Sequence, residues 1–180
     1  MELVEGSPRD TAGRPEKEIR VYRLLDALGI RFQRIDHESV NTMEASAEIN
    51  SMLDAIVCKN LFLWDSKKEH FYLLMVAGDK KFRSGEIAGQ IGSTRLSFAP
   101  AEYIEAYLDI TPGSVSIMGL MNDREKHVEL LVDEEVPKAE YLGCHPCVNT
   151  ASLRIKTKDV LERFLPAVGH TYRTVHMDEG

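Results

Sequence analysis

The chain has 180 residues, with 22 lysines and arginines against 29 aspartates and glutamates, and only three cysteines. This length corresponds to one domain whose core is large enough to fold without disulfides, which excludes a disulfide-rich scaffold. The net charge of −7 argues against a protein that coats nucleic acid with a basic surface.

The N-terminal part differs in composition from the rest of the chain. Residues 1–15 mix turn formers with charges and show no periodicity, which predicts a flexible arm before a single domain over residues 16–180. The sequence contains neither a signal peptide at this end nor an apolar run of the roughly 20 residues that a membrane span needs. We therefore expect a cytoplasmic protein.

Apolar residues at helical spacing predict five helices. They span residues 16–28, 42–49, 84–90, 100–107 and 157–165. Thr42 is the expected N-cap of the second helix, because its hydroxyl can accept from a free amide of the first turn. Pro166 is expected to end or kink the last helix, because proline has no amide and clashes with the preceding turn.

Short apolar and alternating runs predict seven strands. They span residues 31–35, 60–64, 71–77, 95–98, 114–118, 128–132 and 150–155. Several consecutive strands are joined by short turns, so we expect an α/β (α+β) fold with a mixed, mostly antiparallel sheet flanked by helices. A doubly wound nucleotide-binding fold is not favoured, because no glycine-rich turn joins an early strand to a helix.

The motif Cys144-His145-Pro146-Cys147 combines zinc-ligand residue types with a redox spacing. A second pair of ligands is missing, and the motif precedes a strand instead of opening a helix as thioredoxin-like sites do. Adjacent residues on an extended chain point to opposite faces, which disfavours Cys144 as a nucleophile activated by His145. Packed thiols are the simpler interpretation.

Two further segments carry candidate chemistry. Free amides in the turn around Gly113 can donate to a carbonyl or an oxyanion, although two ordinary turns flanking a strand would give the same pattern. Lys59 stands at the start of an apolar strand, where a lysine side chain usually lies in solvent. The basic residues Lys80, Lys81 and Arg83 can contact phosphate or simply form a solvated loop.

An ordered series of segments extends from about Val21 to Val175. It comprises Lys59-Asn60-Leu61-Phe62-Leu63, Gly78-Asp79-Lys80-Lys81, Arg95-Leu96-Ser97-Phe98-Ala99, Thr111-Pro112-Gly113-Ser114-Val115-Ser116, Gly119-Leu120-Met121-Asn122-Asp123, His145-Pro146 with Asn149-Thr150-Ala151, and Gly169-His170. Together these segments resemble the YbaK/prolyl-tRNA synthetase-associated domain family, and within it the free-standing PrdX/ProX-like branch.

This resemblance implies a curved mixed sheet or partial barrel surrounded by helices. It also implies a metal-independent aminoacyl-tRNA deacylase without a cofactor, which hydrolyses mischarged tRNA in trans. Members of this branch mostly remove alanine from tRNA(Pro), while other branches remove cysteine, serine or threonine. Mischarged tRNA is then the expected partner and prolyl-tRNA synthetase a second candidate, and neither membrane nor DNA is expected.

The resemblance further assigns residues. Lys59 corresponds to the functional lysine, Gly113 to the glycine of the substrate loop and His145 to the pocket histidine. The residues expected to bind the substrate are Ser114, Val115, Ser116, Ile117 and Asn149. The basic residues expected to hold the tRNA are Lys80, Lys81 and Arg83.

Two positions depart from the family pattern. Ile117 stands where the loop usually has a proline, which predicts a more mobile loop, and small misplacements can lower a rate by roughly a hundredfold. Cys144 replaces a phenylalanine before the histidine. Two alternatives to the deacylase stay open: a catalytically weak or inactive module of the same fold that binds tRNA or an amino acid, and a thiol enzyme using Cys144 and Cys147, which predicts a lowered thiol pKa.

Overall fold

The computed structural model describes residues 1–40 and 42–179. Its strands are β1 (Leu3–Glu5), β2 (Phe32–Asp36), β3 (Ile56–Trp64), β4 (Phe71–Ala77), β5 (Ser97–Phe98), β6 (Val128–Asp133), β7 (Tyr141–Cys144), β8 (Ala151–Lys156) and β9 (Tyr172–Val175). Its helices are α1 (Glu16–Ala27), α2 (Met43–Leu53), α3 (Ser84–Ile91), α4 (Ala101–Leu108), α5 (Thr157–Asp159) and α6 (Leu165–Ala167). A 3₁₀ helix covers Ile117–Asn122, and a π turn over Val160–Phe164 joins α5 to α6. Within these ranges, no helix has the length and apolar character that a membrane crossing requires.

All strands of residues 1–40 and 42–179 belong to one sheet, in the order β1-β2-β8-β7-β3-β4-β6-β9, and β5 pairs with β3 beside this path. Five of the eight pairings are antiparallel, and the parallel ones join β3 to β7, β4 to β6 and β6 to β9. The predicted mixed, mostly antiparallel curved sheet is confirmed, and the sheet is open.

Both faces of the sheet are covered, as the alternation on β4 shows. Leu73 and Met75 lie in the main core, to which α1, α4 and the last helix contribute. Leu74 and Val76 point the other way, into a second core that contains Ile87 of α3. A third, small cluster joins Ile49 and Leu53 of α2 to Ile35 of β2. This last cluster fixes α2 over the outer face of the sheet, next to the candidate site.

The start of the chain is not a detached arm, which corrects the prediction for residues 1–15. Leu3–Glu5 pair with β2, with Leu3 opposite Ile35, and the Gly6 amide donates to the Phe32 carbonyl at 2.9 Å. A strand of three residues is too short to show a period, which explains why the sequence pattern did not indicate it.

The helix ends follow their local chemistry. The predicted cap is confirmed, because the Thr42 hydroxyl accepts from the Ala45 amide at 3.1 Å. The last helix does not end at Pro166 but widens into a π turn just before it and continues to Ala167. A wider turn accommodates a residue that has no amide to donate.

The strand predicted over residues 114–118 is wrong. The chain turns at Gly113, whose φ is +93°, a region that favours glycine. It then enters the 3₁₀ helix, where the Ser116 hydroxyl accepts from the Met118 amide at 3.1 Å. A hydroxyl that satisfies the first free amide of a helix stabilises the helical start over an extended strand.

Candidate active site

A cavity of about 260 Å³ lies where α2, β3, β7 and β8 meet the turn at Gly113. It is smaller than the roughly 300–1,000 Å³ of pockets for drug-sized ligands, so it suits a small group. The residues that line it are Asn50, Leu53, Val57, Cys58, Asn60, Gly113, Val115, Gly143, Cys144, His145 and Ser152. The structure therefore brings Gly113, Val115 and His145 together as the resemblance implied.

His145 is held in one tautomer. Its Nδ1 lies 2.9 Å from the Ala151 carbonyl oxygen, which can only accept, so Nδ1 carries the proton and Nε2 keeps a free lone pair. Burial lowers the pKa of the ring, and the nearby His37 acts in the same direction. The centroids of the two rings are 6.4 Å apart, and His37 Nε2 is 2.9 Å from the Ser152 hydroxyl. The cavity thus contains a neutral, oriented imidazole.

We expect the His145 ring to titrate below pH 6.5, because burial disfavours its cation more than the Ala151 carbonyl favours it. The depressed pKa means that the stability due to this ring is present above about pH 6.5 and is lost as the pH falls below it. A pH series of ¹H–¹⁵N spectra of the ring nitrogens, assigned with His145→Gln, measures this. A titration midpoint at or above that of a free histidine would contradict the prediction.

The Gly113 turn offers two unused donors. The Ser114 amide donates to the Thr111 carbonyl at 3.1 Å. Among the described residues, none accepts a hydrogen bond from the amides of Gly113 and Val115, and both residues line the cavity. Unpaired amides at a ligand cavity are available to a carbonyl or an oxyanion.

Ser116 and Ile117 fix this turn from behind instead of facing the cavity, which corrects their predicted substrate contacts. The buried Ser116 hydroxyl donates to the His145 carbonyl at 2.6 Å, so it ties the turn to the segment after β7. The side chain of Ile117 is fully buried in the main core. The loop therefore lacks the stiffening proline, but the buried side chain of Ile117 and the hydroxyl of Ser116 hold it in place.

Asn60 is a cavity residue to which the sequence assigned no role. Its Oδ1 is buried and has no hydrogen-bond partner among the described residues, while its Nδ2 is 3.5 Å from the Cys58 carbonyl. An unpaired buried acceptor is costly unless a ligand donates to it. Strand alternation in the sequence could have indicated that Asn60 points inward, because it shares one face of β3 with Cys58 and Phe62.

Three further predicted site residues lie outside the cavity lining. Lys59 points to the face of β3 opposite Cys58, where its ammonium donates to the Lys80 carbonyl at 2.6 Å. Asn149 accepts from the Ser39 hydroxyl at 3.0 Å, and Ser114 is buried behind the turn. The structure therefore does not bring these three side chains to the same cavity as His145.

The three residues predicted to contact the tRNA differ in their exposure. Lys80 is buried, and its ammonium is 3.0 Å from Asp133, whose carboxylate is fully buried. A charge engaged in this way is not available to a phosphate, which corrects the role predicted for Lys80. Lys81 and Arg83 are exposed.

The three thiols are neutral. Burial raises the pKa of Cys58, Cys144 and Cys147 to about 12, which contradicts the lowered pKa that a thiol enzyme predicts. Cys144 and His145 nevertheless both line the cavity. Strand β7 ends at Cys144, so the alternation of side chains between the two faces of the strand does not extend to His145.

Within residues 1–40 and 42–179, no three His, Cys, Asp or Glu side chains are grouped so as to hold a metal ion.

We expect the three thiols to resist alkylation in the folded protein at neutral pH. Only the thiolate reacts, and a pKa of about 12 instead of about 8.5 lowers its fraction on the order of a thousandfold. Mass spectrometry after timed exposure to iodoacetamide tests this, with urea-unfolded protein as the reactive control. Rapid labelling of Cys144 in the folded state would be the opposite result.

The chain is similar to known proteins over most of its length. The family model for the aminoacyl-tRNA editing domain matches residues 37–163. The chain is 33% identical to the prolyl-tRNA editing protein ProX of Acetoanaerobium sticklandii, covering 87% of this chain and 95% of that protein. It is also 33% identical to prolyl-tRNA synthetase associated domain-containing protein 1 of Danio rerio, covering 86% and 83%.

A solved structure shows the same fold. It is described as a candidate trans-editing enzyme for prolyl tRNA synthetase and superposes with a TM-score of 0.66 over 92% of this chain and 99% of that one, at 18% identity.

Proposed function

The chain belongs to the aminoacyl-tRNA editing domain family, and we propose that it is a deacylase that hydrolyses tRNA(Pro) mischarged with alanine. In this reaction water adds to the ester carbonyl, the bond to the ribose oxygen breaks, and free amino acid and tRNA leave. The name of one relative, a prolyl-tRNA editing protein, supports tRNA(Pro) as the tRNA whose charging is edited.

The hydrogen-bonding groups left free in the cavity carry this proposal. Within the described part of the chain, Asn60 Oδ1 is an acceptor without a donor, and the amides of Gly113 and Val115 are donors without an acceptor. An aminoacyl ester has the complementary groups, because its ammonium donates and its carbonyl accepts. We assign the ammonium to Asn60 and the carbonyl to the Gly113 turn.

The turn would act on the transition state. Negative charge develops on the carbonyl oxygen as water adds, and a donor that is already oriented towards it is worth about 3 kcal/mol in other acyl-transfer enzymes. His145, neutral and fixed by Ala151, offers Nε2 as an acceptor that orients the substrate. We propose that the ribose hydroxyl of the substrate assists the water, so no protein triad is required.

Lys59 has a different proposed role. Lys59 does not line the cavity and its ammonium donates to the Lys80 carbonyl, so contact with the reacting ester is not supported. A lysine can instead hold a phosphate of the terminal nucleotide as a point charge. We therefore propose Lys59 as a residue that binds the tRNA, and not as one that contacts the ester.

Size would select the amino acid. In this proposal the walls of the cavity exclude the larger prolyl group sterically. Preference among smaller groups is weaker, because one methylene in an apolar pocket changes the free energy by only about 1–3 kcal/mol. Alanine is therefore the proposed substrate and cysteine and serine the close competitors.

A deacylation panel tests the function. Purified protein is incubated with tRNA(Pro) charged with alanine, cysteine, serine or proline, beside the variants Asn60→Ala and Lys59→Ala. We expect fast loss of alanine and retention of proline. Asn60→Ala should slow hydrolysis of every ester, and Lys59→Ala should mainly raise KM. If no ester is hydrolysed while tRNA still binds, the alternative of a binding module is correct and the deacylase is rejected.

We also propose that the protein works in the cytoplasm, where aminoacyl-tRNA is used. Association with prolyl-tRNA synthetase is a further proposal, suggested by the names of relatives. Co-purification of the two proteins with and without added tRNA tests it.

A further inference from the structure

A second, larger cavity lies on the outer face of the sheet. This groove of about 920 Å³ is formed around β2, β7 and β8. It is lined by Glu5, Gly6, Asp26, Gly29, Ile30, Arg31, Phe32, Gln33, Tyr141, Arg154, Lys156 and Asp159. Nothing in the catalytic proposal uses it.

The groove and the catalytic cavity are neighbours on one sheet face. Alternate residues of β8 share a face, so Ser152, which lines the cavity, is followed on that face by Arg154 and Lys156, which line the groove. The Cα atoms of these two residues are about 7 and 13 Å along the strand from Ser152. Gly143 of the cavity is the cross-strand partner of Arg154.

The cations in the groove are free to bind an anion. Among the described residues, no carboxylate pairs with Arg31, Arg154 or Lys156, and Arg31 and Lys156 are exposed. Arg154 donates to the Gln33 side chain at 2.9 Å, and its guanidinium lies 3.4 Å above the centre of the Tyr141 ring.

The carboxylates of the groove, in contrast, have partners. Glu5 accepts from Gln33 at 3.0 Å, and Asp26 accepts from the Ser7 hydroxyl at 2.7 Å. Asp159 lies 3.6 Å from Arg163. Gln33 and Ser7 are neutral, so Glu5 and Asp26 keep their charge, and the lining carries three cations and three carboxylates. Of these six groups, only Asp159 has an ion-pair partner among the described residues.

We propose that this groove binds the single-stranded 3′ end of the tRNA, next to the esterified ribose in the catalytic cavity. Unpaired cations that follow a backbone, together with an aromatic ring and a stacked arginine, are the features by which proteins hold single-stranded nucleic acid. Arg154 and Lys156 would hold phosphates, and the Tyr141–Arg154 stack would carry a base. This inference rests on the proposed function for its ligand and replaces the surface predicted around Lys80.

The test compares two charge-matched double variants. The first, Arg154→Gln/Lys156→Gln, changes the groove. The control, Lys67→Gln/Arg124→Gln, removes two exposed charges elsewhere on the surface. The probe is an uncharged acceptor-stem minihelix of tRNA(Pro), with or without its single-stranded 3′ tail, titrated over a series of salt concentrations.

We expect the groove variant to bind the tailed minihelix at least about tenfold more weakly, because two phosphate contacts are lost. The slope of log K against log salt should fall by about 1.4, since each contact to a single strand contributes roughly 0.7. The control should change affinity less than about twofold. Without the tail, the wild type and the groove variant should bind alike.

Kinetics separate this proposal from the function. With alanyl-minihelix the groove variant should show a raised KM and an unaltered kcat, while the KM for alanyl-adenosine, which has no phosphate, should stay within about twofold. Unchanged minihelix affinity in the groove variant, or a loss seen instead in Lys81→Gln/Arg83→Gln, would overturn the inference. Absence of any hydrolysis rejects the deacylase alone, because the binding comparison does not depend on it.

Discussion

Asp133→Asn is expected to reduce the free energy of unfolding by about 3–5 kcal/mol, because it leaves the buried ammonium of Lys80 without its counter-charge. The carboxylate also accepts from the amides of Ala77 and Glu135, each at 3.1 Å. An asparagine can present only one acceptor, so its amide group would face a donor. Urea unfolding at constant m-value measures the change.

Two comparisons make this prediction specific. Glu135→Gln breaks the exposed pair with Lys138 and should cost less than about 1 kcal/mol. Lys80→Met/Asp133→Leu removes both buried charges and should recover part of the loss, although two backbone amides remain unsatisfied. If Asp133→Asn is no worse than Glu135→Gln, the buried pair is not the stabilising interaction that the geometry indicates.

The fold was largely predictable because most elements are long enough to show a period. The hairpin of β3 and β4 and helix α1 have clear apolar patterns, and both are present. β7 was missed because it has four residues and a glycine within them, and β9 because three of its four residues are exposed. Edge and connecting strands of this kind are specified by their partners, which a local pattern does not show.

The candidate site was less predictable than the fold. Gly113, Val115 and His145 meet in one cavity, as the resemblance implied. Ser116 and Ile117 do not, because the 3₁₀ helix turns them inward. Lys80 looked like a surface cation in the sequence, since its partner Asp133 is 53 residues away. Side-chain direction within a loop and distant ion pairs depend on tertiary packing.

For the proposed deacylase, Ser116→Ala is expected to lower kcat for the alanyl ester by roughly a hundredfold, because the Ser116 hydroxyl holds the Gly113 turn against the segment carrying His145. The hydroxyl donates to the His145 carbonyl and accepts from the Met118 amide, so alanine leaves two buried groups unpaired. The fold should also lose about 1–3 kcal/mol of stability.

Separate measurement of kcat and KM shows why Ser116→Ala is slower. In the proposed mechanism the donors of the Gly113 turn act mainly when charge develops on the carbonyl oxygen, so their displacement should lower kcat while KM changes little. Ser114→Ala is the matched control, because Ser114 is buried in the same turn and has no side-chain hydrogen bond to any described residue. Assays run well below the unfolding temperature of Ser116→Ala remove the effect of its lower stability. A kcat equal to that of Ser114→Ala under these conditions would mean that the turn keeps its catalytic geometry without this hydroxyl.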